Sequence, residues 1–125
     1  MKRALLLLVV SAAACGGSNP GVAATAVTLD EGSIIVAHST LAGGRVTLDI
    51  GNVGEFGHTL VVTTDDGVVV AATGLVPAGT TATLEVDLAP GGYQFSCRIV
   101  SVGPDGALFD HYQMGMRADV NVRQG

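Results

Sequence analysis

Hydrophobic and polar positions alternate over much of this chain. Val46, Leu48 and Ile50 are separated by Thr47 and Asp49, Leu84, Val86 and Leu88 by Glu85 and Asp87, and Val120 and Val122 by Asp119 and Asn121. A period of two gives an extended strand one face for a core and one for water. No helical period persists after residue 20. Short β-branched runs take its place at 24–29, 33–38, 45–50, 59–64, 68–72, 80–88, 93–102, 107–111 and 116–123. Turn residues punctuate them, among them Glu31-Gly32, Asp66-Gly67, Pro90-Gly91-Gly92 and Pro104-Asp105-Gly106. About eight short strands in roughly a hundred residues predict an all-β, antiparallel Greek-key sandwich. At 125 residues the chain suffices for one such domain and no repeat is evident.

The first residues read differently. Lys2-Arg3, the apolar run 4–10 and small residues up to Ala14 have the anatomy of an export signal. The run is shorter than the roughly 20 residues that span a bilayer. Small residues directly before Cys15 resemble a bacterial lipoprotein signal, which implies a signal over 1–14 and a lipid on Cys15. The Gly-rich segment that follows reads as a flexible tether over 15–24, ahead of a domain at 25–125. The chain is then expected outside the cytoplasm, periplasmic or at the cell surface, held to the membrane through the anchor only and monomeric.

Charge narrows the partners. Loss of Lys2 and Arg3 would leave Arg45, Arg98, Arg117 and Arg123, widely scattered, against eleven acids. That surface offers no basic stripe to nucleic acid and little to anionic lipid headgroups. The cysteines narrow the chemistry. There are two, and an acylated Cys15 leaves Cys97 without an intramolecular partner. A lone thiol in an exported domain is buried and inert, paired with another molecule, or used as a reactive group or ligand.

Three histidines, His38, His58 and His111, accompany that thiol, and Met114 and Met116 follow closely on His111. Two imidazoles, one thiolate and a weakly held thioether are the donor set of a type 1 copper site. Asn52-Val53-Gly54-Glu55-Phe56-Gly57-His58, Pro90-Gly91-Gly92-Tyr93-Gln94-Phe95-Ser96-Cys97 and the run from His111 through Met116 to Val120 occur in that order. Together they resemble the cupredoxins, the superfamily of plastocyanin, azurin and halocyanin. The resemblance covers about Ser33 to Val122. It implies one copper ion with His58, Cys97 and His111 as strong ligands and Met116 as a long axial one. Asn52 and Thr59 would be outer partners of the site, Thr59 standing after the first His where the family has a polar residue that ties the two ligand loops together. The family role implied is one-electron transfer with redox proteins of the cell envelope, without substrate or bond chemistry and so without enzymatic activity. A copper carrier or scavenger, and a copper-free structural sandwich, are the competing readings. His38 has no counterpart among the family ligands and reads as a strand-end residue.

One spacing departs from the family. Thirteen residues, 98–110, separate Cys97 from His111, where cupredoxins commonly have a few. Strand-like residues flank Gly103-Pro104-Asp105-Gly106, so the insertion reads as an extra β-hairpin. If Gly103 faces Gly106, His111 lies opposite Arg98. If Pro104-Asp105-Gly106 is a three-residue loop with a bulge, His111 faces Ile99. Either register returns His111 to the neighbourhood of Cys97.

Overall fold

The computed structural model describes residues 21–125. The expected signal over 1–14, Cys15 and most of the tether lie outside them. Eleven strands form: β1 (Ala24–Asp30), β2 (Ser33–Val36), β3 (Thr40–Ala42), β4 (Gly44–Asn52), β5 (Val61–Thr64), β6 (Val69–Ala72), β7 (Thr81–Leu88), β8 (Gly91–Ser96), β9 (Val100–Val102), β10 (Leu108–Asp110) and β11 (Arg117–Arg123). They make one sheet in the order β2-β1-β4-β7, a second in the order β3-β11-β8-β5-β6, and the separate pair β9-β10.

The period of two decides which faces meet. In β4, Val46, Leu48, Ile50 and Asn52 are buried while Arg45 and Asp49 stay exposed. Val27 and Leu29 of β1 join them from the same sheet, and Leu41, Val62, Phe95, Val120 and Val122 face them from the other. All belong to one continuous core, as a two-layer sandwich requires.

The expected all-β sandwich is present, and four details depart from the sequence reading. First, the pairing is mixed, because β1 runs parallel to β4 and β3 parallel to β11. Second, β3 was absent from the expected strands: Thr40-Leu41-Ala42 is too short to alternate, yet Leu41 is fully buried. Third, the run 93–102 splits into β8 and β9, since the ladder to β11 ends at the Ser96–Arg117 pair. Fourth, the expected tether stops short of Val22, which pairs with Leu41 ahead of β1. Among the described residues no helix is long and apolar enough to cross a membrane.

The 98–110 insertion is the expected hairpin. β9 and β10 pair antiparallel with Val102 opposite Leu108 and Val100 opposite Asp110. Gly103 N–H donates to the Ala107 carbonyl, and Gly106 takes φ +83° in a three-residue loop of Pro104-Asp105-Gly106. The second of the two registers is the one adopted: His111 N–H donates to the Ile99 carbonyl at 3.0 Å.

Candidate metal centre

Three segments bring the donors together at one end of the sandwich. Cys97 follows the last residue of β8, and its N–H extends the ladder to the Met116 carbonyl at 3.1 Å. His111 closes the neck of the hairpin, and its carbonyl accepts from the Met116 N–H at 3.0 Å. His58 precedes β5 and exchanges two backbone hydrogen bonds with Val76. Met116 is thus tied through its backbone to both Cys97 and His111, and its side chain is fully buried.

The side-chain donors converge. One ligand atom each from His58, Cys97 and His111 lies within 4.8 Å of the others. The two Nδ1 atoms are 3.2 Å apart, and Cys97 Sγ is 3.7 Å from His111 Nδ1. His58 and Cys97 are fully buried and His111 nearly so. The opposite ring nitrogens have their own partners: His58 Nε2 meets Glu31 Oε2 at 2.7 Å, and His111 Nε2 meets Ser101 Oγ at 2.8 Å. A carboxylate only accepts, so His58 Nε2 carries the proton and Nδ1 presents a lone pair. The Ser101 hydroxyl can donate or accept, so His111 Nδ1 either carries the proton that bridges to His58 Nδ1 or, with that proton on Nε2, presents a second lone pair to an ion. Two lone pairs 3.2 Å apart, beside a sulfur and shut off from water, are stable only with a cation or proton between them. Separations of 3.2 and 3.7 Å suit N and S donors sharing one ion at about 2.0–2.3 Å. The soft thiolate with two imidazoles fits copper in both oxidation states.

The surroundings hold this arrangement. Thr59 Oγ1, next to His58 in the chain, donates to Cys97 Sγ at 3.8 Å. Asn52 lies one shell further out. Its Nδ2 donates to the carbonyls of Phe56 and Val76, and its Oδ1 accepts from Gly54 N–H, which shapes the loop leading to His58. The turn from Asp110 to Gly115 is pinned by Tyr112, whose ring lies under the Arg98 guanidinium at 4.0 Å and whose hydroxyl bonds Gln94. His38 is exposed and far from this group in the fold: its N–H bonds Thr25 on β1. Met114 is half-exposed and lines an apolar hollow of about 490 Å³ beside His111, with Phe56, Val102 and Phe109.

The charges are set by the same contacts. Glu31 is held below the usual carboxylate range, chiefly by the Glu55 N–H and further by His58 and the Phe56 N–H, against the opposing cost of its burial. Burial and then the neighbouring His58 push His111 below the usual imidazole range, with Glu31 and Asp110 acting the other way. A neutral imidazole is the ligating form, so the lowered His111 value leaves less proton competition for an ion.

Two contributors were missed in the sequence. Glu31 reads there as half of the Glu31-Gly32 turn, and Ser101 as one position of a strand. Glu31 is 27 residues from the ring it contacts, and no local pattern marks such a pair. Ser101 had a usable signal, because the adopted hairpin register puts it near His111.

No protein-family model and no curated protein match this sequence. Solved structures do share its fold. The dithionite-reduced auracyanin of Roseiflexus castenholzii is 19% identical with a TM-score of 0.63, covering 82% of this chain and 98% of that one. Rusticyanin from Thiobacillus ferrooxidans is 21% identical with a TM-score of 0.61, covering 85% and 79%. A multi-copper oxidase from Pediococcus acidilactici is 10% identical with a TM-score of 0.55, and this chain spans 32% of its length. The fold is that of the cupredoxins.

Proposed function

We propose that this chain is an electron carrier that binds one copper ion through His58, Cys97 and His111, with Met116 as the weak axial donor. The convergence of two imidazole Nδ1 atoms and one thiol, each fully or almost fully buried, carries the reading. The likeness to auracyanin in its reduced form and to rusticyanin, described as a copper protein, supports it. Bound copper would supply a one-electron Cu(I)/Cu(II) couple. The protein keeps the donors fixed. The Nε2 bonds to Glu31 and Ser101 hold both rings, and Thr59 donates toward the sulfur. Cys97 and Met116 are locked to one another by a backbone bond. Rigid donors change little between the two copper states, so little rearranges on transfer. Burial of Cys97 and His58 favours this role over metal delivery, because a carrier must open its ligands to exchange the ion.

Addition of Cu(II) to the purified domain should give an intense visible thiolate-to-copper band. Cys97→Ser should abolish the band and leave the fold, and Met116→Leu should keep it and raise the reduction potential. Absence of any band and of copper binding at equimolar protein rejects the reading. Tight Cu(I) binding without a stable Cu(II) chromophore would make the chain a copper carrier instead.

For its location, we propose an exported protein anchored by lipid at Cys15, supported by the small residues before that cysteine. Its partners would be redox proteins of the cell envelope. Stable attachment takes more than one acyl chain. Cys15→Ser should release the protein or block its processing, and an unmodified N-terminus with unchanged membrane fractionation rejects the anchor.

A further inference from the structure

We infer that Glu31 is a positioning residue for the metal centre, one that also biases the bound ion toward Cu(II). Its carboxylate fixes His58 with Nδ1 free to ligate and places a negative charge beside the ion. The inference rests on the copper reading above and adds to it the device that sets the preferred oxidation state.

Glu31 stands in the β1–β2 turn, where Gly32 takes φ +83°. From there its carboxylate reaches His58 Nε2 at 2.7 Å and accepts from the N–H groups of Glu55 and Phe56 at 3.1 and 3.3 Å. One side chain therefore clamps both the ring and the loop that delivers it. Space for it is made by a missing side chain, since a Cβ on Gly54 would overlap the Glu31 carboxylate. The Gly32–Gly115 contact docks the same turn onto the 110–115 turn, so Glu31 is fixed from two sides.

The two imidazoles are held unequally. His111 has a hydroxyl on its Nε2, which orients the ring and adds no charge. His58 has an anion. Among the described residues the ion pairs of arginine are those of Arg45 with Glu85 and Asp87, and Glu31 pairs with His58 alone. No guanidinium cancels its charge locally. A carboxylate on the far nitrogen strengthens the imidazole as a donor and fixes its tautomer. Glu31 is partly exposed, but its charge reaches the ion through the fully buried His58 ring, where screening is weaker than in open solvent. Both effects favour the doubly charged ion over the singly charged one.

The test uses three variants and one wild-type measurement. In the metal-free protein, nitrogen NMR of His58 should show Nε2 protonated and Nδ1 bare; a protonated Nδ1 overturns the proposal. Glu31→Gln keeps the shape and removes the charge. It should weaken Cu(II) binding at least tenfold while changing Cu(I) binding much less. A tenfold change in the ratio raises the potential by about 59 mV for one electron. Ser101→Ala should leave the ratio of the two affinities nearly unchanged. Equal losses for both ions in Glu31→Gln, or a ratio within twofold of wild type, overturn the proposal. Should Glu31→Gln not fold, Gly54→Ala displaces the carboxylate from outside and is read by the same ratio. If the wild type takes up no copper, the copper reading fails, and the bias toward Cu(II) fails with it. The His58 tautomer then decides the positioning role by itself.

Discussion

Replacing Asn52 by Ala tests how the loop before His58 is built. Asn52 is buried at the end of β4. Its amide makes three side-chain bonds: to the Phe56 carbonyl at 2.8 Å, the Val76 carbonyl at 2.9 Å and from the Gly54 N–H at 2.9 Å. Each such bond contributes about 1 kcal/mol net, and an orphaned buried partner costs about 1–3 kcal/mol. The losses here are partly relieved. Val76 keeps the bond from His58 N–H at 3.1 Å, and Phe56 is exposed, so its loop can reach water. The expected loss is therefore about 2–3 kcal/mol. For a domain near 100 residues that lowers Tm by on the order of 10–20 °C. Thermal and urea unfolding of the metal-free protein measure it. Asn52→Asp sharpens the test. It removes both N–H donors and turns a carboxylate toward two carbonyl oxygens, so it should destabilise at least as much as Ala. A loss below about 0.5 kcal/mol for Ala, the level of an ordinary surface change, refutes the reasoning. So does a milder effect for Asp than for Ala.

Two further outcomes follow from the same geometry. Replacing residues 100–109 by a short loop should leave the sandwich folded, because Val100, Val102, Leu108 and Phe109 are all exposed and, among the described residues, β9 pairs only with β10. His111 should then lose its Ser101 bond and gain exposure, read as faster exchange of its ring proton; global unfolding would place the hairpin in the core instead. The metal-free protein should also lose stability in acid. His111 and Glu31 both titrate below their ordinary values of 6.5 and 4.5 in the fold. Each contributes stability that is full above its ordinary value and lost as pH falls through the lowered one. Urea midpoints should therefore fall from about pH 6.5 downward and again below about 4.5. Midpoints that rise between pH 7 and 5.5 contradict this.

The fold was legible where burial alternates. β1, β4, β7 and β11 lie within a residue or two of their expected positions, because one face of each is in the core and the other is not. Elsewhere the pattern carried less information. The run 68–72 reads as a strand without saying which face is covered, and Val68, Val69 and Val70 are all substantially exposed on the edge strand β6 and just before it. β-Branched residues favour extension, and extension alone does not say which face is covered. The split at Cys97 was hidden for a related reason. Residues 93–102 are uniformly strand-like, and the break depends on where β11 begins, twenty residues later.

The donor set and its supports differ in how they are encoded. Ligands must be Cys, His or Met, so their types and order stand out against a chain with two Cys and three His. Thr59 was visible as well, since it follows a ligand directly. Supports such as Glu31 need only offer an acceptor at the right place. Any acid or hydroxyl on any nearby turn would serve, and this chain has eleven acids. Position, not residue type, selects Glu31. That position depends on the β1–β4 register, in which Leu29 stands opposite Asn52 and the Val53 N–H bonds the Leu29 carbonyl. A shift of that pairing by one residue would turn the Asn52 amide out of the core. It would also carry the 53–56 loop away from the Glu31 carboxylate. The parallel ladder of β1 and β4, which was not expected from the sequence, is thus what connects a turn at one end of β1 to the imidazole that begins β5's approach to the centre.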